Sequence, residues 1–571
     1  MPAWAGCWPA PSVHNRSDPD FRAWASAAAC TTPRKLPVAT PPSRSTLPVY
    51  NAPLYARMAQ SVAPVRRPGI EKIYGEVINV VRQHGAHAVV QVALAELWKE
   101  HDNHLDMVKS MPWLHLLVIK WALQDTRVPL AFGPQHQPYT SRQHAALVGK
   151  LWNISQTDRD TYAASGGLWR MMRRIMYVQF DFQRRPSWSF LRWPALIARL
   201  PRNHRARNLF VQALGMQPEH YADLASAVFA FLLDRERFVE PMLLAPLAPY
   251  GADLDTFLQL FARNLGELRD ELQAEPAKRM RGMAELNEFP YLQRFPLLRL
   301  ADGRLQPWHP VVFTRGLENA VHLRLNALGQ AYTDSYSKVF ESYVTELAMN
   351  ACPQGITEAA YRAQCGQLGN VVEVAIPFGS CNVFIEAKLS HFHDEIILED
   401  DPVVLRDKIK RVREAIHQGL QVAHSVRQPD SPLHKDFAGA EKDFLMVVTS
   451  RDLLLVSAEA TQRLMPDAPL FSSETPGAER MTLNQIFVVD ITDYELIMCA
   501  VAEGKVDLAE LLQHAAIANK NHVDGRLQLS QHIDWKGAER PDIPVVSAAA
   551  ADARRRLITN LGGTADDLLQ A

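Results

Sequence analysis

Apolar residues recur at every third or fourth position over much of the first half of the chain. Two such series are Ile73, Val77, Val80 and Val81, and Leu224, Val228, Phe229, Leu232 and Leu233. This spacing is typical of helices that bury one face. We therefore predict an all-helical region over residues 70–290, with loops at Pro-containing stretches such as 133–139.

The second half of the chain alternates between strand-like and helix-like segments. The predicted strands are 371–376, 382–388, 444–449 and 485–490, and the predicted helices are 333–349, 404–424 and 491–502. Gly379 and Ser380 mark a turn between the first two strands. Strands that alternate with helices are typical of a sheet that helices cover on both faces.

Together these patterns predict a multidomain α+β protein in which a large N-terminal all-helical region precedes an α/β domain with a mixed central sheet. We predict a disordered or untranslated segment over 1–69, the helical domain over 70–290, a connector over 291–331, the α/β domain over 332–545, and a helix or tail over 546–571. The first segment is rich in Pro, Ala, Ser and Thr and has no hydrophobic period, and Met58 offers a later start. The connector contains two short strands that turn at Asp302 and Gly303.

Composition excludes several classes of protein. The 571 residues are 47% hydrophobic and 22% charged, with a net charge of -1, which is ordinary for a globular protein longer than one hydrophobic core supports. No run of about 18 apolar residues is present, so a membrane span is not expected. The six cysteines have no CxxC spacing, which argues against a zinc site and a disulfide scaffold. A reducing cytoplasm is the expected compartment.

One stretch of the helical region is rich in arginine. Residues 169–207 contain ten arginines and one acid, Asp181, with seven aromatic residues interleaved. Arginine forks match phosphates, and aromatic faces accept unstacked bases. The residues that would bind nucleic acid here are Arg170, Arg173, Arg174, Arg184 and Arg185. A solvated basic face with its aromatic residues in the core is an equally good interpretation.

The candidate chemistry lies on the first two predicted strands of the α/β domain. Glu373 lies on the first strand, and Glu386 and Lys388 lie on the second. Residues two apart in a strand share one face, so Glu386 and Lys388 should project together while Ala387 points the other way. Two carboxylates and an amine at one place are typical of a metal-dependent phosphodiesterase. The helix that follows carries Lys408, Lys410 and Arg411, which would hold phosphates or form a solvated face.

Residues 332–424 resemble the PD-(D/E)XK restriction-endonuclease-like nucleases. In that superfamily a helix acid precedes the core, an acid on the second strand and an acid-x-Lys triplet on the third form the site, and a basic or Gln-bearing helix follows. By position these are Glu341, Glu373, Glu386 with Lys388, and Gln418 or Gln421. The first strand acid of the family is usually Asp, often after Pro, whereas this chain has Glu373 after Val372.

The resemblance implies metal-assisted hydrolysis of phosphodiester bonds. Glu373, Glu386, the carbonyl of Ala387 and Glu341 would hold Mg²⁺ or Mn²⁺, which prefer oxygen ligands. The expected substrate is nucleic acid, DNA before RNA, and the layout resembles bacterial anti-phage effectors. A homodimer and a defence-system partner are both compatible with this expectation. Two alternatives stay open: a degraded nuclease fold that only binds nucleic acid or protein, and a helical scaffold with an incidental α/β domain.

Overall fold

The computed structural model describes most of the chain beyond residue 69. The described residues are 70–101, 104–130, 138–164, 168–183, 187–233, 237–274, 285–286, 288–366, 369–390, 396–399, 401–520, 526–534, 537 and 539–560. The predicted segment 1–69 lies outside them, as do Arg184 and Arg185.

The N-terminal region is helical, as predicted, except that the two-residue strand β1 (Ala262–Arg263) lies between its last two helices and pairs parallel with β2 (Leu297–Arg299). Its helices are α1 (Ile70–Arg82), α2 (Ala86–Leu97), α3 (His104–Lys109), α4 (Pro112–Gln124), α5 (Ser141–Ala164), α6 (Leu168–Gln183), α7 (Arg192–Ala198), α8 (Arg205–Leu214), α9 (Pro218–Leu233), α10 (Pro241–Leu244), α11 (Ala252–Phe261) and α12 (Leu265–Ala274). Every residue of α4 is buried, because this helix is apolar on all sides and the surrounding helices enclose it.

The rest of the chain mixes helices and strands. The helices are α13 (Pro310–Asn326), α14 (Gln330–Ala351), α15 (Glu358–Cys365), α16 (Pro402–Lys408), α17 (Lys410–Ser425), α18 (His434–Phe437), α19 (Ala458–Leu464), α20 (Ile491–Ala502), α21 (Leu508–Ala518) and α22 (Pro544–Asn560). The strands are β1 (Ala262–Arg263), β2 (Leu297–Arg299), β3 (Leu305–Pro307), β4 (Ile356–Thr357), β5 (Val374–Pro377), β6 (Cys381–Lys388), β7 (Lys442–Thr449), β8 (Val456–Ser457) and β9 (Ile486–Asp490).

The sheet of the C-terminal region is mixed, as predicted. Its six strands lie in the order β4, β5, β6, β7, β9, β8. Strands β4, β5 and β6 pair antiparallel, β6, β7 and β9 pair parallel, and β8 is antiparallel at the edge. The parallel centre follows from the helical crossovers, since a parallel connection needs a crossover segment of a dozen or more residues. The molecule is therefore an α+β protein with an N-terminal helical region and mixed sheets.

Several predicted bounds differ from the structure. The helix predicted over 404–424 is two helices, because the backbone at the buried Ile409 leaves helical geometry (φ -91°, ψ 17°). Asp401 caps the first of them, accepting hydrogen bonds from the N–H groups of Val403 and Val404. The predicted hairpin of the connector is confirmed as β2 and β3, which pair antiparallel. Helix α13 in the same segment was not predicted.

Hydrophobic packing does not divide at the predicted boundaries near residues 290 and 331. One core lies against one face of the six-stranded sheet. The helices that contribute to it are α7, α8, α9, α11, α13, α14, α20, α21 and α22. A second core lies among helices α1 to α6. A third core lies between the other face of the sheet and helices α15, α16 and α17. The sheet is thus covered on both faces. None of the helices in the described part of the chain combines the length and apolarity that crossing a bilayer requires.

A buried ion pair ties the helical region to the sheet region. Arg192 of α7 places Nε 2.7 Å from Glu495 Oε1 and Nη2 2.7 Å from Glu495 Oε2 on α20. Tyr343 of α14 donates its hydroxyl hydrogen to Glu495 Oε1 at 2.6 Å. Both charged side chains are sealed from solvent, and burial of such a pair is tolerated only with this degree of hydrogen bonding.

Candidate functional site

Strand register brings Glu373 and Glu386 side by side. Val374 of β5 stands opposite Ile385 of β6, so the preceding residue, Glu373, stands opposite Glu386. Strand β5 begins at Val374 rather than at residue 371 as predicted. The reason lies in Glu373, whose Oε2 accepts a hydrogen bond from the Ala387 N–H at 2.7 Å. The Glu373 side chain therefore takes the Ala387 N–H that would otherwise bond to the backbone of a longer β5.

The side chains of β6 alternate as predicted. Ala387 packs in the core beneath α14 and α20, whereas Phe384 packs in the core beneath α17. Glu386 and Lys388 therefore share the α17 face of the sheet, since residues two apart in a strand point the same way. Lys388 Nζ donates to Glu386 Oε1. The Glu386 side chain is 1% exposed and that of Lys388 is 24% exposed, so the amine reaches solvent above a sealed carboxylate.

Glu341 of α14 belongs to the same electrostatic group. Burial raises the pKa of this half-buried carboxyl, the charge of Lys388 lowers it, and Glu358 raises it. Glu358 was not singled out from the sequence, because an acid in the first turn of a helix is commonplace. The Glu358 N–H donates to Glu373 O at 3.0 Å, which places the start of α15, directly after β4, beside Glu373.

The paired carboxylates have strongly shifted pKa values. Burial, and then the neighbouring Glu386 carboxylate, raise the pKa of Glu373 well above its usual range. Burial also raises the pKa of Glu386, against the attraction of Lys388. Burial lowers the pKa of Lys388, but Glu386, Glu373 and Glu341 together raise it above its usual value. The amine is therefore a stable cation beside two carboxyl groups that repel each other's charge.

One oxygen of the site receives no hydrogen bond from an N–H or ammonium group. Glu386 Oε2 is buried and has no such donor among the described residues. The Glu373 carboxyl is hydrogen-bonded to Glu386, so the two carboxyls share a proton. Such an oxygen beside a second carboxylate suits a cation. Glu373, Glu386 and the Ala387 carbonyl supply the hard oxygen donors that Mg²⁺ or Mn²⁺ takes, so the residues fit the implied ion in chemical type. In the part of the chain that the structure describes, however, no group of three or more His, Cys, Asp or Glu side chains is arranged to hold a metal.

The two glutamines of α17 contact the segment before β5 rather than the carboxylates, Gln418 at its backbone and Gln421 at the Asn370 side chain. Gln418 Nε2 donates to Val371 O, and Asn370 Nδ2 donates to Gln421 Oε1. The prediction of Gln418 as a catalytic group is therefore replaced by a positioning contact two residues ahead of Glu373. Because the sequence shows only helical spacing, it did not reveal which groups these amides would reach.

The arginine-rich stretch is largely structural. Arg173 is 1% exposed and donates to the carbonyls of Leu454, Ile396 and Leu453, so its prediction as a nucleic-acid contact is wrong. Arg170 and Arg174 each donate to one carbonyl, those of Leu464 and Leu398, and remain half-exposed. The buried aromatic residues of the stretch are Tyr177, Phe182, Phe190 and Trp193. Core packing, the alternative interpretation, thus accounts for these rings.

The predicted basic residues after β6 differ in exposure. Lys408 pairs with Glu399 at 2.9 Å. Lys410 is 74% exposed and lies 3.7 Å from Glu414, and Arg411 is exposed. Lys410 and Arg411 open α17, which crosses from β6 to the parallel β7, so they lie at the same edge of the sheet as Lys388.

Comparison of the chain with protein-family models, with curated proteins and with solved structures found no match.

Proposed function

We propose that this protein is a metal-dependent nuclease that hydrolyses phosphodiester bonds of nucleic acid, with DNA as the expected substrate. The observation that carries the proposal is the Glu386 carboxylate. It is sealed from solvent, it is bound through one oxygen to Lys388, and its other oxygen receives no N–H or ammonium donor among the described residues and lies beside the Glu373 carboxyl. A buried oxygen in this state is suited to a cation, and the adjacent amine is suited to phosphate.

The order of elements supports the resemblance to the PD-(D/E)XK nucleases. Helix α14 carries Glu341, and three antiparallel strands β4, β5 and β6 follow. Glu373 directly precedes the second of these strands, and the Glu386-x-Lys388 triplet ends the third. Helix α17 then leads to a parallel strand, β7. This is the sequence of acid-bearing helix, second-strand acid, third-strand triplet and polar helix that the family implies.

The residues have distinct roles in the proposed reaction. Glu373 and Glu386, with the Ala387 carbonyl, would hold Mg²⁺ or Mn²⁺, which when bound supplies Lewis acidity and charge neutralisation at the scissile phosphate. Lys388, partly exposed beside Glu386, stabilises the negative charge that develops on the phosphate oxygens. Glu341 lies in the field of Lys388 and orients water at the open side of the site. Gln418 holds the backbone ahead of Glu373.

A role as a bacterial anti-phage defence effector is part of the proposal. Its support is architectural: a large helical region shares one core with the proposed nuclease core and meets it at the buried Arg192 pair. A trigger acting on the helices would therefore reach the helix that carries Glu341, through Glu495 and Tyr343. A second protein of the same defence system, or a second copy of this chain, would be the partner in such a role.

A second candidate is a nuclease fold that binds nucleic acid or protein without cleaving. Two observations favour it. The Glu373 carboxylate is occupied by the Ala387 N–H, and no three-acid group arranged for a metal is found among the described residues. This candidate predicts salt-dependent binding of nucleic acid or a stable protein complex, with no cleavage in any metal.

Cleavage of plasmid or phage DNA with Mg²⁺ or Mn²⁺ tests the proposal. Lys388→Ala should reduce the rate at least a hundredfold while DNA binding is kept, because the lysine acts on developing charge. The matched control is Lys505→Ala, which removes the lysine of another Glu-x-Lys triplet, paired with Glu503 at 2.7 Å and 31% exposed. The control should cleave like the wild type. Equal rates for all three proteins would remove the site assignment, and no cleavage by any of them would favour the binding candidate.

A further inference from the structure

A cleft lies where the parallel strands β7 and β9 end. Residues 450–452 and 490–492 form its floor at the sheet, and α6 and α13 form its walls. Glu341, Glu373, Glu386 and Lys388 do not line it, but the backbone of Lys388 contacts one of its lining residues. Ser450, which lines the cleft, donates its N–H to Lys388 O at 3.3 Å. The carboxyl ends of parallel strands are where α/β sheets bind ligands.

Two arginines of the cleft are held in position. Arg315 of α13 lies 2.7 Å from Asp181 Oδ2 and 5.0 Å from the centre of the Phe289 ring. Arg451 donates to Asn319 Oδ1. Both side chains are half-buried. A guanidinium that is already oriented loses less entropy when it binds a phosphate, and its planar fork matches phosphate oxygens.

The carboxylates of the cleft are engaged by groups of the protein. Asp181 pairs with Arg315, Glu318 pairs with the buried Arg192 at 3.1 Å, Asp490 accepts the N–H groups that open α20, and Asp452 accepts the Leu454 N–H at 2.7 Å. Their charge is therefore partly met by protein donors, which reduces their repulsion of an anionic ligand. Tyr177 and Phe180 add aromatic surface to the wall.

The size of the cleft selects among nucleic-acid forms. Its volume is about 140 Å³, which is room for about ten ordered waters. Ten waters occupy about 300 Å³ of liquid, which is the lower end of the range of volumes of small-molecule pockets. One nucleotide is on this scale. A duplex, whose major groove alone is about 12 Å wide, cannot enter.

We infer that the cleft holds one unpaired nucleotide of the substrate strand, next to the scissile phosphate, with its phosphate on Arg315 and Arg451. The spacing is suitable, because two strand separations of about 4.8 Å lead from β6 to β9. The inference rests on the proposed function and makes it more specific. The substrate is single-stranded nucleic acid, or a junction with a single-stranded flank.

Binding without cleavage tests this inference. A fluorescein-labelled single-stranded DNA oligonucleotide and its duplex are titrated against full-length Lys388→Ala protein, alone and combined with Arg451→Gln or Arg315→Gln. We expect the single strand to bind at least tenfold more tightly than the duplex. Each arginine change should weaken single-strand binding at least fivefold. It should also reduce the magnitude of the slope of log K against log salt by about 0.7, which corresponds to the loss of one phosphate contact. Arg555→Gln is the control, since Arg555 is 63% exposed and pairs with Asp552.

Two further measurements keep the test decisive. Arg451→Lys retains the charge and loses the fork, so its affinity should lie between that of the Lys388→Ala parent and that of the Arg451→Gln variant, and equal melting temperatures show that all three are folded. Duplex binding as tight as single-strand binding, or unchanged single-strand affinity in both glutamine variants, would overturn the inference. Failure of the proposed function is distinguishable from this, because it is seen as wild-type protein that binds the single strand and cleaves nothing with Mg²⁺ or Mn²⁺.

Discussion

A single methylene separates Glu373 from the aspartate that the resembled family usually has at this position. In this protein the longer side chain reaches the Ala387 N–H at 2.7 Å while its carboxylate stays beside Glu386. Shortening the side chain would move the carboxylate back by about one bond length. Metal–oxygen distances lie between about 2.0 and 2.6 Å, so a shift of this size would take the oxygen out of bonding distance of a metal ion. The residue is therefore adapted to this backbone rather than exchangeable with aspartate.

Glu373→Asp tests that view. We expect the cleavage rate to fall roughly ten- to a hundredfold. With Mg²⁺ bound, the Glu373 carboxyl would be ionised, and a hydrogen bond to a charged group contributes about 1.5–3 kcal/mol, while about 1.4 kcal/mol is tenfold in rate. Steady-state cleavage of a labelled oligonucleotide measures it, with Glu373→Gln as the variant that keeps length and removes charge. A faster Glu373→Asp protein would instead identify the natural site as a degraded one.

At the scale of elements, α17 positions the chain that enters β5. Gln418 of this helix donates to Val371 O, and the apolar face of α17 packs against the strands of the sheet. Gly419, the next residue, has no room for a side chain, since a Cβ there would lie 2.6 Å from a methyl group of Leu445. The close approach of helix to sheet brings the glutamine amide within reach of the backbone.

Gln418→Leu should lower both stability and turnover. Loss of one part-buried hydrogen bond costs about 1 kcal/mol, and the freed segment holds Glu373 less firmly, so kcat should fall severalfold while oligonucleotide binding is kept. Gln428→Leu is the matched control. Gln428 lies just beyond the far end of the same helix, and its side-chain amide also donates to a backbone carbonyl, that of His424. A Gln418→Leu protein with wild-type kcat would show that the contact has no positioning role.

A relay of hydrogen bonds joins α4 to α5. Ser110 O can only accept, so His115 Nε2 carries the proton of their 2.8 Å bond. His115 Nδ1 then accepts from His144 Nε2 at 2.6 Å, and His144 Nδ1 accepts from the Tyr139 hydroxyl at 3.0 Å. Both imidazoles are neutral in this arrangement. Burial, and then His115, lower the pKa of His144 to about 3, and burial lowers that of His115.

This relay predicts loss of stability in acid. Between about pH 6.5 and 3, His144 is protonated in the unfolded chain and neutral in the folded protein. The free energy of unfolding is therefore unaffected by this histidine above pH 6.5 and decreases as the pH falls below it. Urea unfolding at several pH values should show a slope of up to about 1.4 kcal/mol per pH unit for this histidine. His144→Gln should reduce the slope, and His87→Gln, at an exposed position, should not. Equal slopes in all three proteins would contradict the prediction.

At the scale of the whole molecule, Arg192 is the charged link between the helical region and the sheet region. Its guanidinium reaches Glu495, Glu318 and Thr492. Arg199, directly after the same helix, makes an exposed ion pair with Glu346 at 3.5 Å, with side chains 48% and 52% exposed. The two arginines are chemically alike and differ in burial, so they separate the effect of burial from that of charge.

Arg192→Met should reduce the free energy of unfolding by about 3–5 kcal/mol, because it leaves the Glu495 carboxylate buried and unpaired. Arg199→Met should change it by about 0–1 kcal/mol. Replacing Glu495 by Met in the Arg192→Met background should restore much of the loss, since the pair is then apolar. Urea unfolding followed by circular dichroism measures all three. A cost for Arg192→Met as small as that for Arg199→Met would show that the link carries no stability.

The sequence by itself determined features that depend on local periodicity. The helical first half and the shared face of Glu386 and Lys388 follow from repeats of 3.6 and 2 residues, and the connector hairpin follows from its Asp302-Gly303 turn. Only the tertiary structure decided which partners each side chain meets. It buried Arg173 on three carbonyls, turned Gln418 to Val371 and placed Glu358 beside Glu373. Periodicity assigns a residue to a face of its own element, whereas its contacts depend on other elements, which in these three cases the fold brings together from positions up to 281 residues away.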